Sequence, residues 1–177
     1  MFDLGKVIRL RTKKEKLRIA LVSAALIVLA VPAFLLLLSY NGTVARAINR
    51  GYAGAAFAYA DTLASGDIGG GKEVCVYRTA TGNIAAAVTR KGILGYRVDG
   101  ISGTLPAESA EREAHISSSF SALGSSKTLH WGVLYDASLQ GATVNGQPAA
   151  LLTTDNGLRI WYTYLDRSFT AAEIVVA

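Results

Sequence analysis

Three textures of apolar and polar positions follow one another along the chain. Residues 19–40 read IALVSAALIVLAVPAFLLLLSY without a charge. As a helix rising ~1.5 Å per residue, such a run spans roughly 33 Å, which matches a bilayer's hydrocarbon core. Residues 43–65, TVARAINRGYAGAAFAYADTLAS, then place Ile48, Tyr52, Ala55, Tyr59 and Leu63 at three- and four-residue steps, which predicts an Ala-rich helix. Thr43 suits its N-cap and the glycines of residues 66–71 its stop. Gly51 and Gly54 each weaken such a helix by about 1 kcal/mol relative to Ala, so it needs a packing partner or continuity with the membrane helix as a stalk.

Beyond Lys72 apolar and polar residues alternate, with turn residues at short intervals, the pattern of antiparallel strands. Residues 74–78 and 83–90 flank TATG, a hairpin loop. Leu94, Tyr96 and Val98 alternate with Gly95, Arg97 and Asp99, and His115, Ser117 and Ser119 with Ile116, Ser118 and Phe120. Residues 106–113 read as a loop or one helical turn. Leu129, Trp131, Val133 and Tyr135 share one apolar face. Asn145-Gly146 is the strongest hairpin signal, because a type I′ turn needs positive φ at both positions. Asp155-Asn156-Gly157 repeats the device before residues 158–165, and residues 173–176 close the chain. Eight or nine short strands predict a mainly antiparallel β-sandwich or small barrel, hence an α+β chain.

Charge sharpens the first texture. The net charge is +5 over 177 residues. Lys6, Arg9, Arg11, Lys13, Lys14, Lys16 and Arg18 precede the apolar run against Asp3 and Glu15, and the remaining eleven basic and eleven acidic residues cancel. The positive-inside rule accounts for cations confined to one flank of a span, so nucleic-acid binding is not expected. The layout predicted is a basic cytoplasmic tail at 1–18, a single transmembrane helix at 19–40, a membrane-proximal helix and Gly-rich hinge at 41–72, and an extracytoplasmic β-rich domain at 73–177. Ala45-Arg46-Ala47 offers a signal-peptidase pattern, but the apolar run exceeds the roughly 7 to 15 residues of a signal h-region, which favours a retained signal-anchor. Pro32 is expected to kink the span without breaking it.

Candidate chemistry adds little. Residues 66–73, GDIGGGKE, match GxxxxGK[ST] except that Glu73 stands where a hydroxyl should hold magnesium. A phosphate loop follows a strand and opens a helix, whereas here a helical pattern precedes the glycines and a strand follows them, so the match is read as accidental. The two histidines, His115 and His130, are expected on the surface. Glu111, Glu113 or Asp136 are the acids that would join them at a metal, yet no HxH or HExxH spacing exists. The serines at 117, 118, 119, 121, 125 and 126 lack a GxSxG or SxxK context. Cys75, the single cysteine, has no intramolecular partner and is expected to be a small buried hydrophobe. Trp131, Tyr135, Trp161, Tyr162 and Tyr164 are expected chiefly in the core. No catalytic residue, metal or cofactor is therefore assigned.

The expectation is a membrane-anchored extracytoplasmic binding or assembly module of the cell envelope. Its partners are the lipid bilayer and another membrane or envelope protein, with self-association as an option. The alternatives are an envelope hydrolase with an unrecognised site and a pilin-like structural subunit, although the early acidic residue and Gly-Phe context of pilins are missing.

Overall fold

The computed structural model describes residues 13–52, 54–107, 115–121, 125–166 and 173–177. It divides into two compact units, Met1–Tyr40 and Asn41–Ala177. The described part of the first holds a helix, α1, Lys13–Ser39. Its stretch Glu15–Leu37 is long and apolar enough to cross a membrane, and every side chain there is exposed. The helix thus begins earlier than the apolar run alone suggests, taking in Lys13 to Arg18 of the expected tail, and it passes through Pro32.

The second unit opens with α2, Val44–Gly51, capped as expected: Thr43 is extended (φ −136) and its hydroxyl accepts from the Arg46 N–H at 3.2 Å. The helix expected over residues 43–65 ends at Gly51. Gly51 packs nothing where a side chain would be, and the chain continues through a 3-10 turn, Ala55–Phe57, into strand β1, Tyr59–Gly69. Pairing with β2, Lys72–Thr79, supplies backbone partners along nearly the whole of this stretch. Tyr59 leaves the helical stripe to stack on Tyr77, ring centroids 5.5 Å apart, and its N–H is taken by the Asn49 side chain at 2.8 Å.

The first sheet is β1-β2-β3-β4, with β3 Ile84–Gly92 and β4 Gly95–Ile101. The second has the order β5-β6-β10-β9, with β5 His115–Ser121, β6 Lys127–Leu134, β9 Ala150–Thr153 and β10 Arg159–Asp166. A small third sheet has the order β11-β7-β8, with β7 Ala142–Val144, β8 Gln147–Pro148 and β11 Ile174–Val176. Every strand pair is antiparallel. The chain is therefore α+β, with an N-terminal apolar helix and open antiparallel sheets. No closed barrel forms among the described residues, which sets aside that half of the expectation.

Alternation along the strands builds three buried clusters. Val74, Val76, Ile84, Ala86 and Val88 of the first sheet join Leu129, Trp131, Val133, Ile160 and Tyr162 of the second in the largest. On the other face of the first sheet Cys75, Tyr77, Ala85 and Ala87 receive Ile48 of α2. Leu134 and Trp161 meet Ala142 and Val144 of the third sheet. The turns are legible residue by residue: Asn145 (φ 51) and Gly146 (φ 73) both take the left-handed region between β7 and β8, as a type I′ turn requires.

Candidate functional site

The glycine-rich segment resolves first. Residues 66–73 are neither a phosphate loop nor a hinge but the end of β1, a turn and the start of β2, with Asp67 paired to Glu73 and Gly69 to Lys72. Gly69, Gly70 and Gly71 all have positive φ (81, 65 and 69). No helix N-terminus is present to hold a phosphate.

Lys72, released from that reading, reaches the most charged constellation in the described residues. Asp99 on β4 is only 3% exposed, yet its carboxylate is ringed by three cations. Lys72 Nζ lies 3.5 Å from Oδ2, Arg90 Nη2 3.2 Å from Oδ1 and Arg97 Nε 3.7 Å from Oδ1. Register explains the convergence: Lys72 faces Arg90 across β2–β3 and Arg90 faces Arg97 across β3–β4, so one row crosses three strands. One carboxylate offsets one of three positive charges, and Arg97 remains 74% exposed. With one carboxylate among three cations, the arrangement is an anion-attracting surface built on a buried acid. The expectation treated Arg97 and Asp99 only as polar alternates. The signal that would have found the cluster is a Lys or Arg at the same end of three successive strands.

The β3–β4 turn adjoins this row. Asn41, the first residue of the second unit, forms a bridge to Gly95: its N–H donates to the Leu94 carbonyl at 3.1 Å and its own carbonyl accepts from Tyr96 N–H at 2.7 Å. Gly95 is required there, since a β-carbon would lie 2.0 Å from the Asn41 oxygen. Between the strands Ile93 is fully exposed, Leu94 is exposed, and the Lys91 ammonium sits 5.7 Å from the centre of the Tyr96 ring.

His130 corrects the expectation of surface histidines. It alternates away from Leu129 and Trp131 as foreseen, but it is buried, 4% exposed, and its Nε2 has no hydrogen-bond partner among the described residues. Burial lowers its pKa, so the ring is neutral near pH 7. It stands across from Ser119 on β5 and Thr163 on β10. On the same sheet the Trp161 indole lies over Gly132, where a β-carbon would come within 2.7 Å of Nε1. His115 is half-buried at the edge of that sheet. Glu111 and Glu113 lie outside the described residues, and among the described residues no group of His, Cys, Asp or Glu is arranged to hold a metal. Asp136 is exposed, its carboxyl pulled below the usual range by the Ser138 N–H and hydroxyl, both at 2.8 Å.

Cys75 is buried, and burial pushes its thiol up to about 11, the behaviour of a packed hydrophobe. Trp131, Trp161 and Tyr162 are buried, while Tyr135 and Tyr164 are half-buried. Concavities among the described residues include a cleft of about 310 Å³ lined by Leu63, Arg78, Ile84 and Leu158, and an apolar groove of about 420 Å³ beside Leu151 and Val175.

No protein-family model, curated protein or solved structure matches the chain.

Proposed function

We propose that the chain is a single-pass, membrane-anchored binding or assembly module of the cell envelope, with its N-terminus cytoplasmic and the unit Asn41–Ala177 outside. The observation that carries the reading is α1: a 27-residue helix whose apolar side chains are exposed from Glu15 to Leu37. A core helix of a soluble protein buries such a face, whereas a bilayer covers it on all sides. The cations clustered before the apolar run at residues 19–40 support the orientation. The first and second sheets, contributing to one buried cluster, support a β-sandwich as the architecture of the outer unit. The cationic row around Asp99 and the apolar groove beside Leu151 and Val175 supply the kinds of surface on which a membrane or envelope partner, or a second copy, docks.

The hydrolase alternative draws on His130, neutral and opposite Ser119, but among the described residues its Nε2 makes no hydrogen bond to that serine. The pilin-like alternative draws on a long helix continuing into an Ala-rich one, whereas α1 ends at Ser39 and α2 at Gly51. Fractionation tests the anchor: the full-length chain should stay in the membrane pellet through an alkaline carbonate wash. Release into the supernatant, or recovery of a chain shortened after Ala47, would refute it.

A further inference from the structure

We propose that the β3–β4 turn is a membrane-docking element, seated among the phospholipid headgroups of the leaflet from which α1 emerges. Ile93 and Leu94 sit at the acyl boundary, and Arg90, Lys91 and Arg97 meet lipid phosphates. The inference rests on the reading of α1 as a membrane anchor.

An isolated exposed isoleucine is ordinary. Ile93 is distinguished by where the chain holds it. The turn is paired to Asn41 by the Leu94 and Tyr96 hydrogen bonds, through a contact that only glycine at position 95 permits. α1 ends at Ser39, and consecutive Cα atoms are ~3.8 Å apart, so covalent connection alone keeps Asn41 within about 8 Å of the end of that helix. An apolar turn paired to the residue that follows a membrane helix is within reach of the headgroups by chain connection alone.

The chemistry around the turn is that of an interface. The hairpin carries Arg90, Lys91 and Arg97 against the single acid Asp99, and guanidinium and ammonium groups beside a bilayer are drawn to its phosphates. Tyr96, half-buried beneath the Lys91 ammonium, is an amphipathic ring of the kind enriched at that depth. The carboxylates at this end of the sheet, Glu73 and Asp67, lie on the β1–β2 hairpin, where Asp67 accepts from the Gly69 N–H. The positive side is therefore the β3–β4 side.

Single cysteines carrying an environment-sensitive fluorophore test this in the full-length chain. It is reconstituted in vesicles of phosphatidylglycerol and phosphatidylcholine containing spin-labelled lipid as quencher. Cys75 is buried and does not compete for the label. Leu29→Cys reports the span. Ile93→Cys reports the turn, and Thr81→Cys reports the opposite end of β3, about 30 Å away at ~3.3 Å per residue. The expected result is strong quenching at positions 29 and 93 and several-fold weaker quenching at 81, with Lys91→Glu plus Arg97→Glu reducing the signal at 93 several-fold. Quenching at 29 with position 93 no different from 81 overturns the docking while leaving the anchor intact. No quenching at 29 overturns both, and an unchanged signal at 93 in the double charge reversal overturns the phosphate contacts.

Discussion

Tyr162 occupies the space that a side chain on Gly66 would need: a β-carbon there would lie 2.2 Å from the phenolic oxygen and 2.7 Å from the ring carbon that bears it. Gly66 is on β1 and Tyr162 on β10, so the glycine that suggested a phosphate loop instead lets a buried ring of the second sheet reach the first. Overpacking of this kind costs typically 1–3 kcal/mol. Gly66→Ala is expected to lose about that much in thermal or denaturant unfolding of the full chain in detergent. Tyr162→Phe, which removes only a long hydroxyl contact of 3.5 Å to the Asp67 carbonyl, should lose less than ~1 kcal/mol. Equal stability of Gly66→Ala and the parent chain would contradict the packing.

At Gly95 the obstacle is backbone rather than side chain. Gly95→Ala places a β-carbon on the Asn41 carbonyl in a residue with φ 84, and neither partner has a flexible end that can yield. Amide exchange of Tyr96, whose N–H is held by that carbonyl, should accelerate at least tenfold in the variant, since losing ~1.4 kcal/mol of protection is a factor of ten. Unchanged exchange would show that the bridge contributes nothing.

Asp99→Asn leaves Lys72, Arg90 and Arg97 facing one another around a neutral amide. Arg90 and Arg97 reach solvent, which screens part of their repulsion. The loss is therefore expected at about 1–3 kcal/mol, the range for a lost charged hydrogen bond, rather than the larger cost of a wholly buried charge. Denaturant midpoints at low and high salt check it: the deficit should shrink as salt rises, and a salt-independent deficit would point to packing instead.

His130 sets a pH dependence whose sign follows from its burial. Burial holds its folded pKa below the ordinary imidazole value of 6.5, so the unfolded chain takes up a proton first as the pH falls. Stability should therefore be unaffected by this group above about pH 7, decline as pH drops through the unfolded value, and level off below the folded one. In His130→Gln that component of the acid sensitivity should vanish. An identical pH profile in the two proteins would contradict the neutral buried ring.

The legible parts of the fold were those written in local chemistry. Asn145-Gly146 needs positive φ twice and has it; Thr43 caps α2; Trp131 alternates into the core with Leu129 and Val133. β1 was hidden because its register shifts at three places against β2, so burial does not alternate over its first half, and Tyr59 and Leu63 fall by chance on a helical step. His130 was misjudged because the face away from the main core is itself covered, and nothing local to β6 announces the third sheet that packs on Leu134 and Trp161. The Asp99 cluster depends on the register of three strands, which no single stretch of residues contains.

The account turns on α1 crossing a bilayer with the unit Asn41–Ala177 on the far side. Protease added outside intact cells, with the outer barrier opened where there is one, reads this directly through an antibody to the C-terminus. Digestion of the C-terminal epitope is expected, with a protected fragment that keeps the apolar run and the basic residues before it. A C-terminus that survives external protease and is cut only after the membrane is breached would contradict it.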